Sequence, residues 1–179
     1  MLIQPMKKPF ITLEQLKGIV EKYPTPFHLY DEKGIRENAR RLRQAFAWNK
    51  GFKEYFAVKA TPNPFLLKIL KEEGCGTDCS SLTELMMSDV CGFKGDEIMF
   101  SSNDTPPEDF ELARKLNAII NLDDITHIEF LEKIAGIPET ICCRFNPGGA
   151  FQINNAIMDT PGEAKYGFTR EQLTEGFKK

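Results

Sequence analysis

Lys59 follows Tyr55-Phe56-Ala57-Val58 and precedes Ala60-Thr61-Pro62-Asn63-Pro64, so an amine stands where an apolar run breaks into a proline turn. The run is too short and too rich in aromatic and β-branched residues for a helix, and Pro62 and Pro64 forbid its continuation. It predicts a buried strand that delivers one amine to its C-terminal end, a device for presenting a nucleophile. Side chains alternate along a strand, which places Tyr55, Ala57 and Lys59 on one face and Phe56 and Val58 on the other. With the first face turned into a barrel, the amine sits at the mouth, where the catalytic residues of such barrels collect.

Other reactive side chains point to less. The five cysteines, Cys75, Cys79, Cys91, Cys142 and Cys143, are an odd set with no Cys-x-x-Cys pair, and they read as thiols. Cys79 adjoins Asp78, but a small buried apolar side chain is the commoner role of a free cysteine. His28 and His127 lie far from one another and from any cysteine pair, so no metal site is expected.

Twelve further segments position these groups. Thr12 and Gln15 cap a short helix that Pro24 closes, residues 25–30 read as a strand, and Asp31 caps a helix to about residue 48 whose stripe is Ile35, Ala39, Leu42 and Phe46. After the Lys59 strand come helices over 64–73, 82–91, 106–116 and 125–135, alternating with strands over 76–79, 97–101, 118–122 and 140–145. A last helix begins near Thr169. Ser81 with Glu84, and Thr105 with Glu108, each place a hydroxyl at a helix start and a carboxylate three residues on. Five strands, each apolar on both faces and followed by a helix, mean a parallel sheet with helical cover.

Units of roughly 25 residues build a (β/α)8 barrel when eight of them make up its typical length of about 250. Five units make part of one. An open doubly wound sheet fits the length better, but its dinucleotide fingerprint is missing: Gly74-Cys75-Gly76 precedes a strand and reads as a helix-to-strand turn.

With 179 residues, 41% of them apolar and 27% charged, the chain reads as soluble and globular. The 23 basic residues against 26 acidic ones leave a balance of −3 and no footprint for nucleic acid or an anionic membrane. No signal-type segment and no run of about 18 apolar residues occurs, so a cytoplasmic location is expected.

Several segments, in order, resemble one family: Thr25-Pro26-Phe27-His28-Leu29-Tyr30-Asp31, Tyr55 to Ala60, Gly76-Thr77-Asp78-Cys79-Ser80-Ser81-Leu82-Thr83-Glu84-Leu85, Cys143-Arg144-Phe145-Asn146-Pro147-Gly148 and Lys165-Tyr166-Gly167-Phe168. They are similar to the fold-type III decarboxylases that use pyridoxal 5'-phosphate, in their diaminopimelate-decarboxylating branch. The resemblance implies an α/β fold, a partial barrel of the alanine racemase-like type over residues 31–179. It implies that residues 1–30 supply a helix and a strand to a separate β domain. It implies a homodimer, an amino-acid substrate and, for the whole enzyme, conversion of meso-diaminopimelate to L-lysine and carbon dioxide. Enzymes for ornithine, arginine or carboxynorspermidine, an alanine-racemase-like enzyme, and a non-catalytic relative that keeps the barrel are the alternatives.

By matching position, the resemblance makes Lys59 the covalent anchor of the cofactor and Asp78 an acidic neighbour of that lysine. It makes Glu84 an active-site carboxylate, although capping with Ser81 accounts for that residue as well. Arg144 shares a face with Cys142, so its guanidinium is expected to bond the cofactor or Glu84, with a surface salt bridge as the plain alternative. Lys165 is expected at a dimer interface, Asn63 and His28 are weaker candidates, and Met86 and Met87 read as core. The family's ring-stacking histidine, phosphate loop, partner of the ring nitrogen and late substrate residues have no counterparts in this sequence, so the chain is expected to be an N-terminal portion, inactive alone.

Overall fold

The structure, a computed structural model, describes residues 8–148 and 166–178. Five strands pair in parallel: β1 (Tyr55–Ala57), β2 (Gly76–Cys79), β3 (Ile98–Ser101), β4 (Ile119–Leu122) and β5 (Ile141–Cys143). Helices α3 (Pro64–Glu72), α4 (Leu82–Val90), α5 (Pro107–Lys115) and α6 (Thr126–Ala135) form the crossovers. Helices α1 (Leu13–Val20) and α2 (Glu32–Ala45) precede them, and α7 (Arg170–Gly176) follows.

The strand order β1-β2-β3-β4-β5 decides between the two expected architectures. A doubly wound sheet reverses direction at a switch point, whereas a barrel adds each strand beside the last. The sheet is also curled. Four strand spacings of about 4.8 Å would hold β1 and β5 roughly 19 Å apart in a flat sheet, yet Lys59 after β1 and Arg144 after β5 line one cleft. The fold is five βα units of a barrel.

Register sorts the side chains. Phe56, Thr77, Ile98, Phe100, Ile120 and Leu122 face the helices, and the last four are no more than 1% exposed. They pack on Leu85, Phe110, Ala113 and Leu131, with Phe110 edge-on to Phe100 at 6.0 Å. Each such side chain contributes about 1.5–3 kcal/mol of burial. The opposite face carries Tyr55, Ala57, Asp78, Met99, Ile119, Asn121 and Cys142, all only half-buried. The expectation of strands buried on both sides therefore holds for the helix side alone.

Several boundaries differ from the sequence reading. Residues 25–30 form no strand in this chain, and α1 and α2 bury no residue, although Thr12 and Gln15 cap α1 as expected. Leu42 and Phe46, expected to face the core, are 36% and 37% exposed. Charge holds α2 instead. Glu73, 6% exposed, takes Arg40 at 2.6 and 2.7 Å and Arg36 at 3.1 Å, and its carbonyl accepts from Arg43 at 3.0 Å. Helix α5 starts at Pro107, and Thr105 turns back to the Ser102 carbonyl and caps nothing. The C-terminal extension of β5 is not left bare, because Phe145 bridges to the buried Phe168.

One close approach sets the floor of the sheet. The Tyr55 hydroxyl donates to the Asp96 carbonyl at 2.6 Å, which carries the ring past Gly76. A Cβ on Gly76 would stand 2.6 Å from the Glu97 carbonyl oxygen and 2.7 Å from the Tyr55 ring. Gly76→Ala is therefore expected to cost about 1–3 kcal/mol of stability in denaturant unfolding, through overpacking. The guanidinium of Arg40, then that of Arg36, holds the Glu73 carboxyl down at about 2 against its ordinary 4.5. Its stabilisation is complete above pH 4.5 and is lost as pH falls toward 2. Glu73→Gln is expected to flatten that limb of the stability-versus-pH curve.

Candidate active site

Every polar group of interest gathers at the C-terminal ends of the strands, as in complete barrels. A cleft of about 380 Å3 is lined by Lys59, Asp78, Ser80, Ser101, Ser102, Asn103, Asp104, Arg144 and Tyr166. A larger, open hollow of about 570 Å3 lies along α2 beside Asn38, Arg41 and Leu42, away from these groups.

Lys59 reaches the cleft by a different route from the one expected. Strand β1 stops at Ala57, and Val58–Ala60 form a 3-10 turn, so strand alternation does not extend to the lysine. The turn closes where Thr61 N–H donates to the Val58 carbonyl at 3.1 Å, and Asn63 then caps α3 by accepting from Phe65 N–H at 3.0 Å. Val58 fills the core at 0% exposure and Lys59 is exposed above it. Its amine makes no hydrogen bond or ion pair among the described residues.

Asp78 lies opposite Ala57 in the ladder, on the inward face of β2. Its Oδ1 is buried with no partner. Burial pushes its carboxyl up, the Lys59 ammonium pulls it down, and the nearby Glu84 carboxylate adds to the rise. Glu84 itself does not line the cleft. Its carboxylate accepts from the backbone N–H and hydroxyl of Ser80 at 2.9 and 3.0 Å and from the Ser81 hydroxyl at 3.2 Å. Ser81 caps α4 by accepting from the Glu84 N–H at 3.4 Å, while the Glu84 carboxylate reaches past the Ser81 N–H to fix Ser80, which does line the cleft, so the expected reciprocal cap is half made.

Arg144 does not bond Glu84. It leaves β5 on the inward face, where its Nε pairs ionically with Asp123 Oδ1 and its Nη2 donates to Ser101 Oγ, both at 3.0 Å. Tyr166 stacks over the guanidinium at 5.1 Å. Gly167 N–H to the Asp123 carbonyl, at 2.7 Å, and Phe168 N–H to the Arg144 carbonyl, at 2.6 Å, hold that segment in place. Lys165 lies outside the described residues. His28 is exposed and stacks on Tyr30 at 6.2 Å, Met87 packs against the core, and Met86, expected there too, is 55% exposed.

Asp123 was missed from sequence. It is 1% exposed, and burial pushes its carboxyl up against the pull of Arg144. Its neighbour Asp124 forms a turn just before α6, accepting from the Thr126 N–H at 2.8 Å and the Thr126 hydroxyl at 2.6 Å. Counting alternate residues from Ile119 was the available signal, because it puts Asn121 and Asp123 on the inward face with Ser101.

Residues 32–179 match the family described as pyridoxal-dependent decarboxylase, pyridoxal binding domain. The chain belongs to this family. It is 36% identical over 163 residues to Protein TabA of Pseudomonas amygdali pv. tabaci, across 91% of this chain and 38% of that protein. Against the diaminopimelate decarboxylase of Methanothermobacter thermautotrophicus it is 32% identical, across 89% and 38%. The solved diaminopimelate decarboxylase of Helicobacter pylori complexed with L-lysine superposes with a TM-score of 0.78 at 29% identity, across 90% of this chain and 42% of that one. The chain thus spans about two fifths of the length of these relatives.

As a pyridoxal binding domain, the chain has a site that suits the group. Among the described residues, a lysine amine without a hydrogen bond or ion pair, a buried carboxylate oxygen without a hydrogen bond and a guanidinium share one cleft, of a size that holds small ligands. No helix of the described residues is long and apolar enough to cross a membrane. All five cysteines are free. Cys79 is fully buried with its Sγ 3.2 Å from Ser88 Oγ, and burial raises the thiol to about 11. Iodoacetamide at pH 8 is expected to leave Cys79 unlabelled in the native pyridoxal binding domain and to label it only after unfolding, as peptide mapping would report.

Proposed function

We propose that this chain supplies the lysine-bearing part of the active site of a pyridoxal-phosphate-dependent amino-acid decarboxylase, acting on meso-diaminopimelate to give L-lysine and carbon dioxide. The carrying observation is the Lys59 amine at the barrel mouth, unpaired among the described residues, in one cleft with Asp78 and Arg144, in a chain of the pyridoxal binding family. Diaminopimelate decarboxylases among its relatives support the substrate.

Pyridoxal phosphate, when bound, supplies an electron-accepting ring for the pair left by the departing carboxylate. The chain does the rest. Lys59 anchors the cofactor through its amine and is placed to hand a proton back to the substrate carbon. Asp78 shares the cleft with that amine, and its carboxyl feels the lysine's charge. Arg144, held from behind by Asp123, presents a fixed positive charge to an anionic ligand. Glu84 works as a support, through Ser80.

Residues 1–30 join a separate β domain on this reading, in keeping with an α1 that buries nothing and a 25–30 segment without strand partners. The whole enzyme is then a cytoplasmic homodimer. Borohydride reduction of the chain with pyridoxal phosphate, followed by peptide mapping, is expected to label Lys59; label on a different lysine refutes the assignment. Lys59→Ala is expected to abolish the label and the visible absorption without changing the unfolding midpoint. Protein extended to the length of its relatives is expected to release carbon dioxide from meso-diaminopimelate in preference to ornithine or arginine.

A further inference from the structure

We propose that Ser101 is a hydrogen-bond donor with a fixed direction, which gives its proton to an anionic oxygen of the ligand in the cleft, and that Asn121 and Asp123 are the positioning residues that set this direction. The inference rests on the reading of the cleft given above.

A serine hydroxyl has one proton to donate and two lone pairs to accept with. Both lone pairs of Ser101 are taken, by Arg144 Nη2 at 3.0 Å and by Asn121 Nδ2 at 3.2 Å. Arg144 has no acceptor to offer in return. The Asn121 amide is oriented by its other neighbour. Its Nδ2 lies 3.5 Å from Asp123 Oδ1, the oxygen that also forms the ion pair with Arg144 Nε at 3.0 Å. Turning the amide over would set its carbonyl oxygen against a carboxylate oxygen, which repels it, so the amide nitrogen stays toward both Asp123 and Ser101.

The Ser101 proton therefore has no acceptor inside the network, and none among the described residues. Ser101 lines the cleft with Lys59 and Arg144, so the proton is directed into that space. The consequence is a subsite of one polarity. A ligand ammonium finds no lone pair here, because Ser101 has spent both and Arg144 has none. An anionic oxygen finds a hydroxyl donor beside a guanidinium, the pairing in which a hydrogen bond is strongest. Two oxygens fit that chemistry, the ring oxygen of pyridoxal phosphate and the carboxylate of an amino acid.

The test uses paired probes that differ by the oxygen alone. Dissociation constants are measured by absorbance titration for pyridoxal phosphate against its 3-deoxy analogue, and for meso-diaminopimelate against L-lysine, which lacks one of its carboxylates. Ser101→Ala is expected to weaken the oxygen-bearing member of one pair by roughly tenfold or more, the size of a hydrogen bond to a charged group, and its partner by less than about twofold. Ser101→Thr, which keeps the hydroxyl, is expected to restore the discrimination, and Asn121→Leu, which frees a lone pair on Ser101, to lose part of it. Discrimination lost within the first pair assigns the ring oxygen; lost within the second, it assigns the carboxylate. Equal effects on both members of both pairs, or no effect, overturn the proposal. Borohydride labelling of Lys59 in the same proteins reads the underlying assignment separately. Label retained in Ser101→Ala without oxygen discrimination removes only the role of Ser101, whereas no label in the unsubstituted protein removes both.

Discussion

The parallel register of five consecutive strands is the constraint on which the rest depends. Residues paired across a parallel ladder point the same way, so one alternation governs the whole sheet. It sends Ile98, Phe100, Ile120 and Leu122 to the helices and leaves Asp78, Asn121 and the cleft serine on the other side. A one-residue shift of β2 would bury the Asp78 carboxylate under the helices, and one of β3 would turn Phe100 into the cleft. The apolar packing thus holds the polar site in alignment without touching it.

Charged groups inside this site divide the work. Adjacent aspartates have separate tasks, Asp124 on the helix start and Asp123 on Arg144. Glu84 gives its oxygens to two serines, and Asp78 keeps one oxygen without a partner. Asp78 faces the cleft directly, and Asp123 and Glu84 stand behind the side chains they hold there. Local capping and site construction are one network here, since Glu84, whose N–H the Ser81 cap accepts, also orients Ser80.

Much of this was legible in the sequence, for identifiable reasons. The alternation of strand and helix is carried by apolar runs and by local caps such as Thr12 with Gln15 and Ser81 with Glu84, which need only neighbours in the chain. The presentation of Lys59 followed from the prolines after it, although the final turn is 3-10 and not strand. What escaped depends on distant residues. Nothing near Glu73 announces that three arginines of α2 converge on it, and nothing near Arg144 says that its partner is Asp123 and not Glu84. The exposed stripe of α2 misled because helical spacing records amphipathic pattern, while what the helix docks against is a tertiary matter.

The Tyr55 ring crossing over Gly76 to the Asp96 carbonyl acts on the history of the chain as well as on its final form. Strands β1 and β2 are short, and short parallel strands have little to distinguish one alignment from another two residues away. Displaced by two, the phenol would meet Asp78 where it now meets a residue with no side chain, and its hydroxyl would leave the carbonyl it reaches. A bulky ring opposite the first glycine of the next strand therefore works as proofreading against that slip, and it favours the alignment that brings Lys59 and Asp78 to the same rim.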